Sequence, residues 1–227
     1  MKAKAFMAPA LCLIILAGCT LDNYDAPDAS LYGTIRDIDT GDPVQSDLYN
    51  GTTLHYYEEG SVALQSMIVK CDGTYENALM FSGNYKFIPV QTNFDPIDTV
   101  YVTVNGRTQM DFNVKPYIRI SNVSIIKSGA SKVTATFTVT PSSKFFIVSK
   151  VGLFIHTQNI VGAYMYLDSR VLSTGSEAFT SRTYTIEFDC SDSMNITPGR
   201  SYYFRVGALA AEPNARYNYA PAEQVDL

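Results

Sequence analysis

From Leu31 to Leu227 the sequence runs in short stretches of alternating apolar and polar residues, and each stretch is cut by glycine, proline, asparagine or aspartate. A period of two puts one set of side chains on a buried face and the other in water, whereas a helix needs apolar residues three and four apart over several turns. No stretch after residue 30 sustains that helical period. Leu31–Ile38, Thr52–Tyr57, Met67–Lys70, Leu79–Gly83, Tyr85–Val90, Thr99–Val104 and Thr108–Val114 read as strands. Asn50-Gly51, Asp72-Gly73 and Asn105-Gly106 between them read as tight turns, because these pairs accept positive φ. Pro116 cannot donate to a sheet ladder and marks a break. Beyond it, Tyr117–Ile126, Val133–Val139, Phe146–His156 and Tyr184–Phe188 alternate again, while residues 159–175 give no clean strand. The expected fold is all-β, with two β-sandwich domains in tandem at residues 31–115 and 117–227.

The N-terminus follows a different rule. Lys2 and Lys4 precede an apolar run from Ala5 to Ala17, broken only by Pro9, which ends in Leu16-Ala17-Gly18-Cys19. The run is too short to span a bilayer comfortably, since spanning takes about 20 residues. Small residues before a cleavage point suit a signal peptidase. The pattern resembles the bacterial lipobox, which makes residues 1–18 a signal peptide and Cys19 the lipid-bearing first residue of the mature chain. Residues 19–30 are polar, acidic and aperiodic, and read as a flexible tether. Acidic residues behind the lipidated cysteine resemble the signal that sends Bacteroidetes lipoproteins to the cell surface; a spacer on the periplasmic face is the alternative. The lipid is the expected membrane attachment.

The chain carries a net charge of −5 without basic clusters, which argues against nucleic acid as a partner. Once Cys12 leaves with the signal and Cys19 is acylated, Cys71 and Cys190 remain, either as two free thiols or as a bond that requires the domains to touch. These cysteines and the two histidines, His55 and His156, lack the spacing of a zinc site. Asp37, Asp39 and Asp42 raise the question of calcium, but their spacing does not match an EF-hand loop. A hairpin turn explains them better. No nucleophile elbow, phosphate loop or metalloprotease signature is present. The expectation is therefore no metal, no cofactor and no catalysis.

Two segments carry resemblances. Gly33-Thr-Ile-Arg-Asp-Ile-Asp-Thr-Gly-Asp-Pro-Val44, with Asp72-Gly73-Thr74-Tyr75, Leu79, Gly83 and Tyr85, resembles a carboxypeptidase regulatory-like, or transthyretin-like, β-sandwich. That module is usually non-catalytic. The segment Ile196-Thr-Pro-Gly199-Arg-Ser-Tyr202-Tyr-Phe-Arg-Val-Gly-Ala208 resembles the turn and penultimate strand of a fibronectin type III or immunoglobulin-like domain. The resemblance gives Tyr202 the tyrosine-corner role, with Ile196 beside it and Gly199 in the turn. No tryptophan is present, so the corresponding core position must be filled otherwise, and Phe154 and Leu153 are the candidates. With the acidic tether Leu21-Asp-Asn-Tyr-Asp-Ala-Pro-Asp28, the whole chain resembles the DUF3823 family of Bacteroidetes lipoproteins. Such proteins are commonly encoded beside outer-membrane glycan-uptake machinery. The resemblance implies an accessory role in nutrient capture and no residue-level site.

The chain has sixteen tyrosines and no tryptophan. A tyrosine ring offers a flat apolar face and a polar tip, which suits a sugar or a protein surface. Tyr56-Tyr57, Tyr164 with Tyr166, and Tyr217 with Tyr219 are the clusters, and the last two are the preferred ligand-binding candidates. Tyr164 and Tyr166 share a face if their segment is extended. The expected partner is a polysaccharide or oligosaccharide, or else proteins of an outer-membrane uptake complex.

Overall fold

A computed structural model of the chain describes residues 25–175 and 178–227. The expected leader, Cys19 and the first half of the tether lie outside the described residues. No helix among the described residues is long and apolar enough to cross a membrane.

The molecule is all-β, as its alternation requires. The first sandwich pairs two sheets. One holds β4 (Thr74–Met80), β1 (Ala29–Asp37), β7 (Arg107–Gln109) and β8 (Phe112–Val114), with β1 in the middle. The other runs β3 (Gln65–Ile68), β2 (Thr53–Glu58), β5 (Gly83–Val90), β6 (Val100–Val104). Every second residue of β1 is buried, and Leu31 and Ile35 pack with Leu54, Tyr75, Phe87 and Phe112 between the sheets. β1 starts two residues before the expected start of the domain at Leu31, because Ala29 is buried and pairs with Met80. Asp28 just outside it accepts a hydrogen bond from the Ser82 amide at 2.7 Å.

Two turn signals have a different consequence from the one local sequence suggests. Asp72-Gly73 and Asn105-Gly106 turn the chain tightly, yet each carries it from one sheet to the other rather than between paired neighbours. The expected strand Thr108–Val114 is divided into β7 and β8, which both run parallel to β1. The division falls where Met110 crosses Gly33. A Cβ on Gly33 would lie 1.6 Å from the Met110 carbonyl oxygen, so only glycine allows the approach. That oxygen accepts a hydrogen bond from the Tyr75 hydroxyl, and the Asp111 carboxylate takes the Thr34 amide at 2.8 Å.

The second sandwich places β13 (Arg182–Asp189), β10 (Lys132–Pro141) and β9 (Ile118–Lys127) against β12 (Asp168–Ser173), β11 (Val148–His156) and β14 (Ser201–Ala210). Both β15 (Asn218–Tyr219) and β16 (Glu223–Asp226) pair with β14. β12 lies in the stretch that gave no strand signal. It is paired with β11 alone and has no buried residue, so burial imposes no alternation on it. Val133, Ala135, Phe137 and Val139 face Leu153, Phe204 and Val206 across the core. Leu153 takes the core side of β11, whereas Phe154 points the other way, into a separate cluster. Cys71 and Cys190 are both free thiols.

Tyr202 is buried, and its hydroxyl accepts the Thr197 amide at 2.8 Å across the turn that Gly199 makes at φ 78°. Ile196 packs in the same core. Replacing Tyr202 with phenylalanine keeps the ring and strands that amide, so we expect a loss of about 1 kcal/mol in urea unfolding. No loss would mean that the hydroxyl does not hold the corner.

Candidate functional site

The outer face of β14 explains where two of the predicted tyrosines go. Along this strand Tyr202, Phe204, Val206 and Ala208 point into the core, which leaves Tyr203, Arg205, Gly207 and Leu209 on the opposite face. That face is covered, not wet. Tyr217 and Tyr219 stack with ring centroids 5.7 Å apart, and Phe154 meets both edge-on. Gly207 makes room, because a Cβ there would sit 2.6 Å from the Tyr219 ring. Tyr217 and Tyr219 are 8% and 6% exposed, so they cannot serve as a ligand platform. They follow a turn that folds back onto its own sheet and is then capped by the first sandwich.

The cap is polar. Arg205 is 1% exposed and directs five hydrogen bonds. They reach the carbonyls of Ala220, Val161, Ser46 and Cys71 and the Gln45 side chain, at 2.9–3.1 Å. Three of these acceptors belong to the first domain. The guanidinium lies 4.2 Å from the Tyr219 ring centroid, a favourable cation–π placement. The Tyr219 hydroxyl donates to buried Asp47 at 2.8 Å and accepts the Ala163 amide at 2.8 Å. Burial pushes the Asp47 carboxyl up to about 6, against the pull of Tyr219 and Arg205. Burial also pushes Tyr217 up to about 12 and Tyr219 well above its ordinary value. Asn93 and Asn218 stitch the same seam, Asn93 to the Gln45 and Tyr217 carbonyls and Asn218 to the Asn93 carbonyl.

The acidic turn at Asp37–Asp42 belongs to this seam too. Arg119 of β9 forks onto Asp37 at 2.5 and 2.7 Å and reaches Asp39 at 2.6 Å. Burial works against the Asp37 charge, but Arg119, the Asp39 amide and the Thr40 hydroxyl together outweigh it and hold the carboxyl below its ordinary range. Gly41 turns at φ 78° and its amide donates to the Asp37 carbonyl. Two of the three carboxylates that raised the question of calcium, Asp37 and Asp39, therefore clamp one domain to the other. Among the described residues, no three histidines, cysteines or acids are grouped to hold a metal ion.

Tyr164 and Tyr166 remain about half exposed. They do not lie on an extended segment. Gly162 and Met165 exchange backbone hydrogen bonds at 3.0 and 3.2 Å, which puts Tyr164 in a two-residue turn and Tyr166 just beyond it. The strand argument for a shared face therefore does not apply. A Cβ on Gly162 would fall 2.0 Å from the Asp47 carboxylate, so this turn rests directly on the seam.

A cleft of about 440 Å³ lies elsewhere, on the outer face of the β2–β5–β6 sheet. Tyr57 pairs with Lys86, and Lys86 with Tyr101. Directly paired residues share a face, so these three form one row across three strands. Their neighbours Tyr56, Tyr85 and Phe87 point into the core. The Lys86 ammonium sits 4.6 Å over the Tyr57 ring, and Tyr101 is 77% exposed. A second row runs alongside. Thr103 donates to the Asn84 side-chain oxygen Oδ1 at 2.7 Å, and the Asn84 side-chain amide donates to Glu59 at 2.8 Å. The turn at Gly60, at φ 81°, closes the end. Sequence named Tyr57 in a pair but could not find Tyr101, which is brought to it only by the β5 register.

Comparison with known proteins follows the same outline. Residues 29–115 match the family model for the "Protein of unknown function (DUF3823) N-terminal domain", and residues 118–224 match the "Domain of unknown function (DUF3823_C)". No curated protein matches the chain. A solved structure from Bacteroides uniformis, described as a candidate carbohydrate binding protein, is 31% identical with a TM-score of 0.79. The match covers 88% of this chain and 100% of that one. A DUF3823 family protein from Bacteroides ovatus is 25% identical with a TM-score of 0.74, over 88% of this chain and 100% of its own. One from Parabacteroides merdae shares the fold at 24% identity and a TM-score of 0.75, over 89% and 100% of the two chains. With both of its domains matched, the chain belongs to the DUF3823 family.

Proposed function

We propose that this chain is a non-catalytic, lipid-anchored glycan-binding protein of the outer membrane, held at the cell surface through Cys19 as an accessory to polysaccharide uptake. The observation that carries the reading is the Tyr57–Lys86–Tyr101 row beside the hydrogen-bonded Glu59–Asn84–Thr103 row. Apolar ring faces beside fixed donors and acceptors are what a sugar ring, with its C–H faces and hydroxyl edges, requires. The B. uniformis relative, described as a candidate carbohydrate binding protein, supports it. The two carboxyl residues lining the cleft, Glu58 and Glu59, are consecutive in the chain at the end of β2. Glycoside hydrolysis uses a pair that flanks the bond from two sides, so their placement favours binding over cleavage.

The test is retardation of residues 20–227 in native gels containing soluble polysaccharides. Retardation is expected with at least one glycan. Tyr57→Ala and Tyr101→Ala should each abolish most of it, and Tyr164→Ala with Tyr166→Ala should leave it intact. Retardation that depends on Tyr164 and Tyr166 instead would move the site to the seam turn.

A second reading, docking to a protein of an uptake complex, is favoured by the exposed apolar side chains Ile68, Leu79 and Phe81 on and after the edge strands β3 and β4. Exposed apolar surface of this kind marks contact sites when it is contiguous. Cross-linking from a probe at Leu79 to one membrane protein, without glycan retardation, would select this reading.

A further inference from the structure

Resting on the glycan-binding reading, we infer that the β2–β5–β6 cleft selects an uncharged glycan chain and grips at least two consecutive sugar units laid across the strands. Tyr57 and Tyr101 stand on the outer two of three neighbouring strands. At the usual strand spacing their backbones are about 9–10 Å apart. One pyranose cannot rest on both rings, but two linked ones can. The direction of the chain follows from the row, which crosses the strands, and the polar row runs parallel to it one step along the sheet.

The charge preference comes from the lining. Lys86 is its only cation, and its ammonium already lies against the Tyr57 ring. Glu59 supplies a carboxylate to the same cleft, whereas Glu58 pairs with core-facing Tyr85 and turns to the other face. A uronate or sulfate group would be set beside the Glu59 carboxylate on a chain of net charge −5, and like charges at short range oppose binding. Neutral hydroxyls meet no such opposition. The Asn84 amide is fixed at both ends, by Thr103 and by Glu59. That leaves one Asn84 N–H as donor and one Glu59 oxygen as acceptor, side by side, and two vicinal hydroxyls can satisfy such a pair together.

The experiment titrates residues 20–227, which keep every described residue, against two sets of probes by calorimetry. The neutral set is mixed-linkage β-glucan, xylan, galactomannan and pullulan, each with its oligosaccharides of one to six units. The anionic set is polygalacturonate, alginate and chondroitin sulfate. We expect binding from the neutral set only, absent for the monosaccharide and rising steeply from one unit to two or three. Tyr57→Ala and Tyr101→Ala should each weaken the oligosaccharide about tenfold, as loss of one aromatic contact does. Lys86→Gln removes the ammonium that lies against the Tyr57 ring and should weaken the oligosaccharide about two- to fivefold, the worth of an exposed cation–π contact, without creating binding to the anionic set. Binding to the anionic set that is lost in Lys86→Gln overturns the inference and leaves the glycan-binding reading standing. So does a monosaccharide that binds as well as its oligomers. No binding to either set removes the glycan-binding reading itself. Circular dichroism of each variant separates lost binding from lost fold.

Discussion

The Arg205→Met variant unfolds with a stability about 3–5 kcal/mol below the parent, the range seen when one partner of a buried charged network is removed. Methionine keeps most of the apolar stem and its contact with Tyr219, so packing changes little. What is lost is five hydrogen bonds at once. Four backbone carbonyls and the Gln45 side chain are left facing a side chain that cannot donate, and buried unsatisfied groups each cost about 1–3 kcal/mol less any relaxation. Asp47 also loses its nearest favourable charge. Because the acceptors come from both domains, the variant should also separate their melting. The parent is expected to give one calorimetric transition and the variant two. A single transition displaced by less than about 1 kcal/mol would show that the seam is held by its apolar cluster rather than by Arg205.

The second large effect is a dependence of stability on pH that runs opposite to ordinary acid denaturation. Burial holds the Asp47 carboxyl near 6 in the folded chain, against 3.8 for the free side chain. The folded state therefore binds this proton more tightly than the unfolded state does. Stability rises as pH falls through 6, the gain is complete below 3.8, and it is lost again as pH climbs back through 6. The shift corresponds to about 3 kcal/mol at its limit, with about 1 kcal/mol of it gained between pH 7 and pH 5. At still lower pH, Asp37 and Asp72, whose carboxyls are held low, lose their own contributions and oppose the gain. Urea titrations at pH 7, 6 and 5 measure the window in which Asp47 acts alone among these three. Asp47→Asn should flatten it. A parent whose stability falls steadily from pH 7 to pH 5 would mean that the Asp47 carboxyl is not buried as described.

The fold was largely legible because alternation is a backbone rule. Val133 to Val139 and Leu31 to Asp37 announce their buried faces in sequence, and the Ile196–Tyr202 turn announces its corner. The seam was not legible. Asp37 and Asp39 look like a turn or an ion site until Arg119, eighty residues on, is folded against them. Tyr217 and Tyr219 look like surface residues after a turn, and only the covered outer face of β14 buries them. One sign was present: Arg205 sits between Phe204 and Val206 on a strand with small and apolar residues on both faces. A lone arginine there implies a fully partnered guanidinium, since a bare one could not be buried. The cleft row was hidden for a different reason. Tyr57, Lys86 and Tyr101 are distant in sequence, and register between strands is a tertiary property.

Backbone amide exchange of residues 20–227, measured with and without a retarding polysaccharide, tests the central claim most directly. Slowed exchange is expected around Glu59–Ser61, Asn84–Lys86 and Tyr101–Thr103, with the Gly162–Tyr166 turn unchanged. Protection confined to the Gly162–Tyr166 turn, or to the exposed edge at Leu79 and Phe81, would contradict the assignment of the glycan to the outer face of the first sandwich.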